Sequence, residues 1–135
     1  MSLSRSQRQR VVGAAIVRHG RVLTARRTAP AAAAGRWEFP GGKVEASEPP
    51  EHALAREIGE ELGCRVAVDD WLPGTVPFGE RHELTVAVCT LLAGEPSPVE
   101  HDATRWLAAD QLDDVDWLEP DLPFLPPLRA HLGGG

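Results

Sequence analysis

Along the chain the apolar positions change their period, and each change marks an element. Val11 to Val17 is a β-branched and small-residue run that stops at His19-Gly20, and Arg21 to Arg26 then sets Val22, Leu23 and Ala25 among polar residues. Two such runs across a short turn predict a β-hairpin. Thr28 to Gly35 reads as a small-residue loop, and Trp37-Glu38-Phe39 as a short strand stopped by Pro40 and the pair Gly41-Gly42. From Pro50 the period lengthens. Leu54, Ile58 and Leu62 recur at every fourth position, which predicts a helix from Pro50 to Leu62 with Gly63 as its stop. Pro49 stands where a capping side chain is expected, unless Ser47 supplies the oxygen, and Gly59 lies inside the helix; each costs about 1 kcal/mol. Packing or function is expected to override both.

Further on, Arg65 to Val68 predicts a short strand and Pro73-Gly74 a turn. Glu80 to Leu92 is the longest strand candidate. It sets His82, Leu84, Val86, Val88 and Thr90 on one face and Glu83, Thr85, Ala87, Cys89 and Leu91 on the other. Gly94 to Pro98 is a loop, Thr104 to Leu107 a last strand and Ala108 to Leu112 a short helix. A closing helix is expected only after about Pro123, because Pro126 and Pro127 also obstruct it. Strands and helices mix without strict alternation, without repeats and without a long linker. The expectation is one α/β domain, a mixed sheet between helices, over residues 10–132, preceded by a flexible tail at 1–9. The start RSQRQR-VVGAAIV superficially resembles a signal peptide, but its apolar run is minimal and ends at Arg18.

Charge narrows the possible partners. The 135 residues carry a net charge of -6, so the overall field repels nucleic acid polymers and anionic membranes. A phosphate-bearing substrate would need local Arg or Lys, or a bridging cation. Cys64 and Cys89 are isolated and lack metal-type spacing, which fits buried thiols in a reducing cytoplasm. Gly13, Ala14 and Ala15 leave room against the first strand, either for tight packing under a helix or for a ligand.

The predicted helix also holds the chemistry. At about 100° per residue, Glu57, Glu60 and Glu61 fall in one arc beside the apolar stripe, so three carboxylates crowd together. Arg56 reaches Glu60 at i+4 but cannot neutralise all three. A solvated acidic face is the ordinary reading of such glutamates. The adjoining Gly41-Gly42 turn and Lys43, the single lysine, favour another: carbonyls and carboxylates around Mg²⁺ or Mn²⁺, with a cation free for phosphate.

Gly42, Glu48, Arg56, Glu57, Ile58, Glu60, Glu61, Gly63 and Cys64 fill the pattern G-x5-E-x7-R-E-U-x-E-E-x-G-U, U being bulky and apolar. The chain therefore resembles the Nudix hydrolases; only Cys64 is an unusual choice at its position. GRWEFPGGK, the GAAIV strand and the ARR segment resemble the MutT-like branch, and DVDWLEPDLPFL resembles bacterial CTP/dCTP pyrophosphohydrolases. The resemblance implies an α/β/α sandwich and Mg²⁺- or Mn²⁺-dependent hydrolysis of a nucleoside triphosphate to monophosphate and pyrophosphate. It implies Glu57, Glu60, Glu61 and the Gly41 carbonyl as metal ligands, with Glu100, six residues before Trp106, as a further ligand or base. Arg56 would orient the glutamates, and Glu48 would fix the loop.

For substrate binding the expected residues are Lys43 on a phosphate, Arg26 on a phosphate or the base, and Phe78 and, more weakly, Trp37 as stacking surfaces. Asp121, with Asp116 as the neighbouring alternative, would read the base edge. An ionised aspartate only accepts hydrogen bonds, which favours cytosine through its 4-amino group, or guanine-type bases through their amino and N–H donors. A protonated one would change that preference. CTP, dCTP or a 5-modified dCTP is the expected substrate of a cytoplasmic monomer or homodimer. The alternatives are 8-oxo-dGTP, then ADP-ribose or another nucleoside diphosphate derivative, and last a non-catalytic nucleotide sensor.

Overall fold

In the computed structural model, which describes residues 8–99 and 101–133, strand β1 (Gln9–Arg18) sorts its side chains to two faces. Val12, Ala14 and Ile16 point to one side, and Ala15, with Val11 and Val17, to the other. That alternation follows from the pleat and requires cover on both sides. On the first side lies α1 (Pro50–Leu62), whose Ala53, Leu54, Ile58 and Leu62 are fully buried. On the second lie 3₁₀ turns at Ala109–Asp114 and Glu119–Phe124 and the closing helix α2 (Leu125–Gly133), which bury Leu112, Phe124 and Leu128. The result is the expected α/β/α sandwich.

The sheet is mixed. β7 (His82–Ala93) runs parallel to β1 from Gln9↔His82 to Val17↔Thr90. Its expected faces are confirmed: Leu84, Val86 and Val88 join the α2 side, Ala87 and Cys89 the α1 side. The other edge of β7 takes β5 (Arg65–Trp71) and β6 (Val76–Phe78), both antiparallel. β2 (Arg21–Arg27) forms the predicted hairpin with β1, and β8 (His101–Leu107) pairs with β2. β6 escaped sequence reading because Pro77 and the short span hide a strand period.

What positions the site is a split between β1 and β2. They pair at Val17↔Val22 and Arg18↔Arg21 and then diverge. The segment Trp37–Lys43 enters the gap. Its first part, β3 (Trp37–Glu38), pairs with β2, and its last, β4 (Gly41–Lys43), with β1 through Gly13↔Gly41 and Val11↔Lys43. The glycine pair, expected as a turn, is therefore also a strand. Pro40 between them has no N–H to leave unpaired, and its carbonyl accepts from the Ala14 N–H at 2.7 Å.

Contacts bear on four local expectations. Gly13 faces Phe39, and Ala14 and Ala15 are fully buried, so the small residues of β1 serve packing. Ser47 sits at φ 66° and does not cap α1, which starts without a side-chain cap; Gly63 closes it in the left-handed conformation at φ 67°. Arg8 and Gln9, assigned to the tail by sequence, bond to the His82 carbonyl at 3.1 Å and the Arg81 carbonyl at 2.6 Å; residues 1–7 lie outside the described residues. Cys64 and Cys89 are buried free thiols, and burial pushes Cys89 up to about 12.

Two glycines should respond oppositely to alanine. At Gly59 the nearest atom to an added Cβ is 4.0 Å away, so nothing in the packing offsets its poor propensity, and Gly59→Ala should stabilise by about 1 kcal/mol. At Gly41 a Cβ would stand 1.9 Å from the Val12 carbonyl oxygen, so Gly41→Ala should cost about 1–3 kcal/mol. Urea denaturation reads both; shifts of the same sign would contradict this packing.

Candidate active site

The polar face of α1 is organised by Arg56. Its Nε donates to Glu48 Oε2 at 2.8 Å and its Nη2 to Glu48 Oε1 at 3.0 Å, a bidentate pair. Nη1 donates to Glu57 at 3.0 Å and less closely to Glu60 at 3.4 Å, while Nη2 also reaches the Lys43 carbonyl at 3.2 Å. One guanidinium thus ties the helix to the loop that precedes it. The hydrogen bond from Arg56 holds the Glu48 carboxyl down to about 2, and Glu48 in turn accepts from the Glu45 N–H.

The glycine pair lets this helix approach the sheet. A Cβ on Gly42 would lie 2.3 Å from the Glu57 carboxyl carbon, so only glycine admits that carboxylate. The Gly41 N–H donates to Glu61 at 3.3 Å. Glu61 is half-buried, and burial pushes its carboxyl up to about 7 against the opposing effect of His101. Glu60 stays exposed.

The three carboxylates therefore share a face without closing on one point. Glu57 takes Arg56, Glu61 takes the Gly41 N–H, and Glu60 takes mainly solvent; mutual repulsion favours this dispersal. Among the described residues no three of His, Cys, Asp and Glu stand at metal-holding spacing. The donor types remain those of a hard cation: carboxylate oxygens facing a glycine loop.

Beside this face, at the split end of the sheet, opens a cavity of about 900 Å³, within the usual range for small-molecule sites. Gly41, Lys43 and Glu61 line it on the helix side. Arg27, Glu38 and His101 line it from β2, β3 and β8, on one flank of β1. Phe78 and His82 line it from β6 and β7, on the other, their rings stacked with centroids 5.2 Å apart. Asp121 reaches it from the 3₁₀ turn and is only 5% exposed; burial holds its carboxyl well above the ordinary aspartate range. Asp116, the neighbouring alternative, is exposed beside Arg36 instead.

Of the residues singled out from sequence, Gly41, Lys43, Glu61, Phe78 and Asp121 line the cavity, and Arg56, Glu57 and Glu60 lie on the adjoining face of α1. Glu100 lies outside the described residues. Arg26 and Trp37 are not among the lining residues. Arg26 pairs with Asp102 at 2.7 Å and lies over the Trp37 ring, and Trp37 is buried against the sheet. The neighbour Arg27 lines the cavity instead, as successive strand residues point to opposite faces; the β2–β8 register also shifts between Arg26 and Arg27. Sequence reasoning also passed over Glu38 and His101. The available signal was a lone carboxylate inside the apolar Trp-Glu-Phe strand.

Comparison with known proteins agrees with this picture. The NUDIX domain model matches residues 7–128. The chain is 43% identical over 129 residues to a Mycobacterium tuberculosis protein provisionally named 8-oxo-dGTP diphosphatase 2, covering 93% of this chain and 92% of that one. It is 33% identical to the Escherichia coli CTP pyrophosphohydrolase, covering 89% and 90%. The solution structure of the E. coli ORF135 protein superposes with a TM-score of 0.79 at 31% identity, over 95% of this chain and 94% of that one.

The buried Asp121 carboxyl carries a pH signature. Because folding favours its protonated form, that stability is full below the ordinary value of 3.8 and is lost as pH rises toward the folded value. Asp121→Asn removes the loss. The variant should melt higher than the parent at pH 8 and no higher at pH 4. Parallel melting profiles would show that Asp121 is not held neutral.

Proposed function

Since this chain belongs to the NUDIX family and is a nucleotide pyrophosphohydrolase, we propose that its substrates are CTP, dCTP or a 5-modified dCTP. Cleavage yields the nucleoside monophosphate and pyrophosphate with Mg²⁺ or Mn²⁺. The observation that carries the base preference is Glu38, an acceptor fixed in the cavity by Arg27 and His101 beside the buried Asp121. A carboxylate acceptor favours the 4-amino group of cytosine over the carbonyl that thymine and uracil present there. Neutral Asp121 offers a proton to the adjacent ring nitrogen. The acid described from sequence as acceptor is in this reading the donor, and Glu38 takes the acceptor role.

On the helix side, Glu57, Glu60, Glu61 and the Gly41 carbonyl, with Glu100, would hold the cation. When bound, it supplies Lewis acidity to the attacking water and the leaving pyrophosphate. Arg56 keeps Glu57 and Glu60 oriented through its hydrogen bonds, a supporting role of the kind that typically affects activity 10–100-fold, roughly. Lys43 meets a phosphate as a point charge. Phe78 offers the base a ring face. The acidic surface poses no barrier, because the substrate arrives neutralised by its cation.

A second reading, 8-oxo-dGTP, is favoured by the 43% identity to the M. tuberculosis protein of that name. Neutral Asp121 also matches the adjacent donor and acceptor of a guanine edge. Pyrophosphate release across a nucleotide panel separates the two. Turnover of dCTP should exceed that of TTP and of 8-oxo-dGTP by about tenfold or more in kcat/KM; a clear preference for 8-oxo-dGTP reverses the assignment. Glu60→Gln should lower kcat by about a hundredfold or more at unchanged melting temperature. Retained turnover would remove Glu60 from the ligand set.

A further inference from the structure

Glu38 can select a base only if its carboxylate stays in one place. It sits at the end of a two-residue strand, two residues before Pro40, and immobilising a glutamate costs about 1.5–2 kcal/mol of side-chain entropy. Two strands contribute the side chains that hold it. Arg27 on β2 places Nη1 3.1 Å from both carboxylate oxygens. His101 on β8 places Nε2 2.9 Å from Oε2. Oε2 thus carries two of these bonds and Oε1 one, which leaves Oε1 the more available acceptor.

The two supports differ. The Arg27 side chain is 36% exposed, long and flexible, whereas that of His101 is 5% exposed. The histidine is also an expensive choice for mere filling. Its Nδ1 is buried without a hydrogen-bond partner, a defect worth about 1–3 kcal/mol that an apolar side chain would avoid. What His101 provides in exchange is a rigid ring with one nitrogen on Glu38. Glu61 is the other carboxylate close enough to influence the ring.

We infer that His101 is a positioning residue: it acts through Glu38, locking the carboxylate so that Oε1 faces the nucleobase and the site prefers an amino-bearing base. The inference rests on the reading that the base enters beside Glu38. It is tested without turnover or metal, so that failure of the triphosphate panel and failure of this proposal are separate results.

Calorimetric binding of CMP and UMP provides the test. The unsubstituted chain should prefer CMP. His101→Ala should lower the CMP/UMP preference about tenfold, the scale of one lost charge-assisted hydrogen bond. His101→Gln, whose amide can still donate to Glu38, should keep most of it. His101→Met, which fills the space without a donor, replaces the alanine variant if that one fails to fold. In a Glu38→Ala background the His101 substitution should no longer change the preference. Absence of any CMP preference in the unsubstituted chain would overturn the proposal. So would an unchanged preference in a folded His101→Ala or His101→Met protein, a glutamine variant as poor as these, or an effect that persists without Glu38.

Discussion

The divergence of β1 from β2, and the entry of Trp37–Lys43 into the gap, is the constraint on which the rest depends. A sheet cannot leave backbone donors and acceptors unpaired in a buried split. The inserted segment satisfies both edges: β3 pairs with β2, β4 with β1, and the Pro40 carbonyl takes the Ala14 N–H. The same segment delivers Glu38 to one flank of the cavity and Gly41, Gly42 and Lys43 to the helix side. Fold and site are therefore one construction, and the glycines serve both. Gly41 permits close approach to the Val12 backbone, and Gly42 admits the Glu57 carboxylate.

Electrostatics explain the remaining architecture. A helix with three glutamates in one arc would repel itself, and the chain disperses the strain through Arg56, the Gly41 N–H and solvent. Arg56 also grips Glu48 and the Lys43 carbonyl, so neutralising the helix and anchoring the loop are the same act. On the cavity's other side, Glu38 is held by Arg27 and His101, while Asp121 is buried with the Phe39 backbone as hydrogen-bond partner and Glu38 and Arg27 near it. Burial favours the protonated form of Asp121, whereas the Glu38 carboxylate is held by two side-chain partners.

Much of this was legible in the sequence. The two faces read along β7 and the four-residue recurrence in α1 identify the two core faces, because burial on a periodic element imposes its period on the residues. The glycine pair, Arg56 and the glutamates mark the helix side of the site because their spacing is local. The flanks of the cavity were less legible. Arg26 was the expected contact, but it pairs with Asp102 and its neighbour Arg27 lines the cavity. Glu38 and His101 are 63 residues apart, and no local pattern joins them.

What the sequence determined by itself is the chemistry of the contiguous stretch Gly41–Cys64, since a helix and its preceding loop bring those residues together by covalent connection alone. What the tertiary structure decided is the other half of the site. Arg27, Glu38, His101, Phe78 and Asp121 come from five separate segments and meet only because the sheet splits and the closing 3₁₀ turn folds over it. Whether an acid there is an acceptor or a donor follows from burial and neighbours, and those are properties of the packed fold rather than of the residue's name.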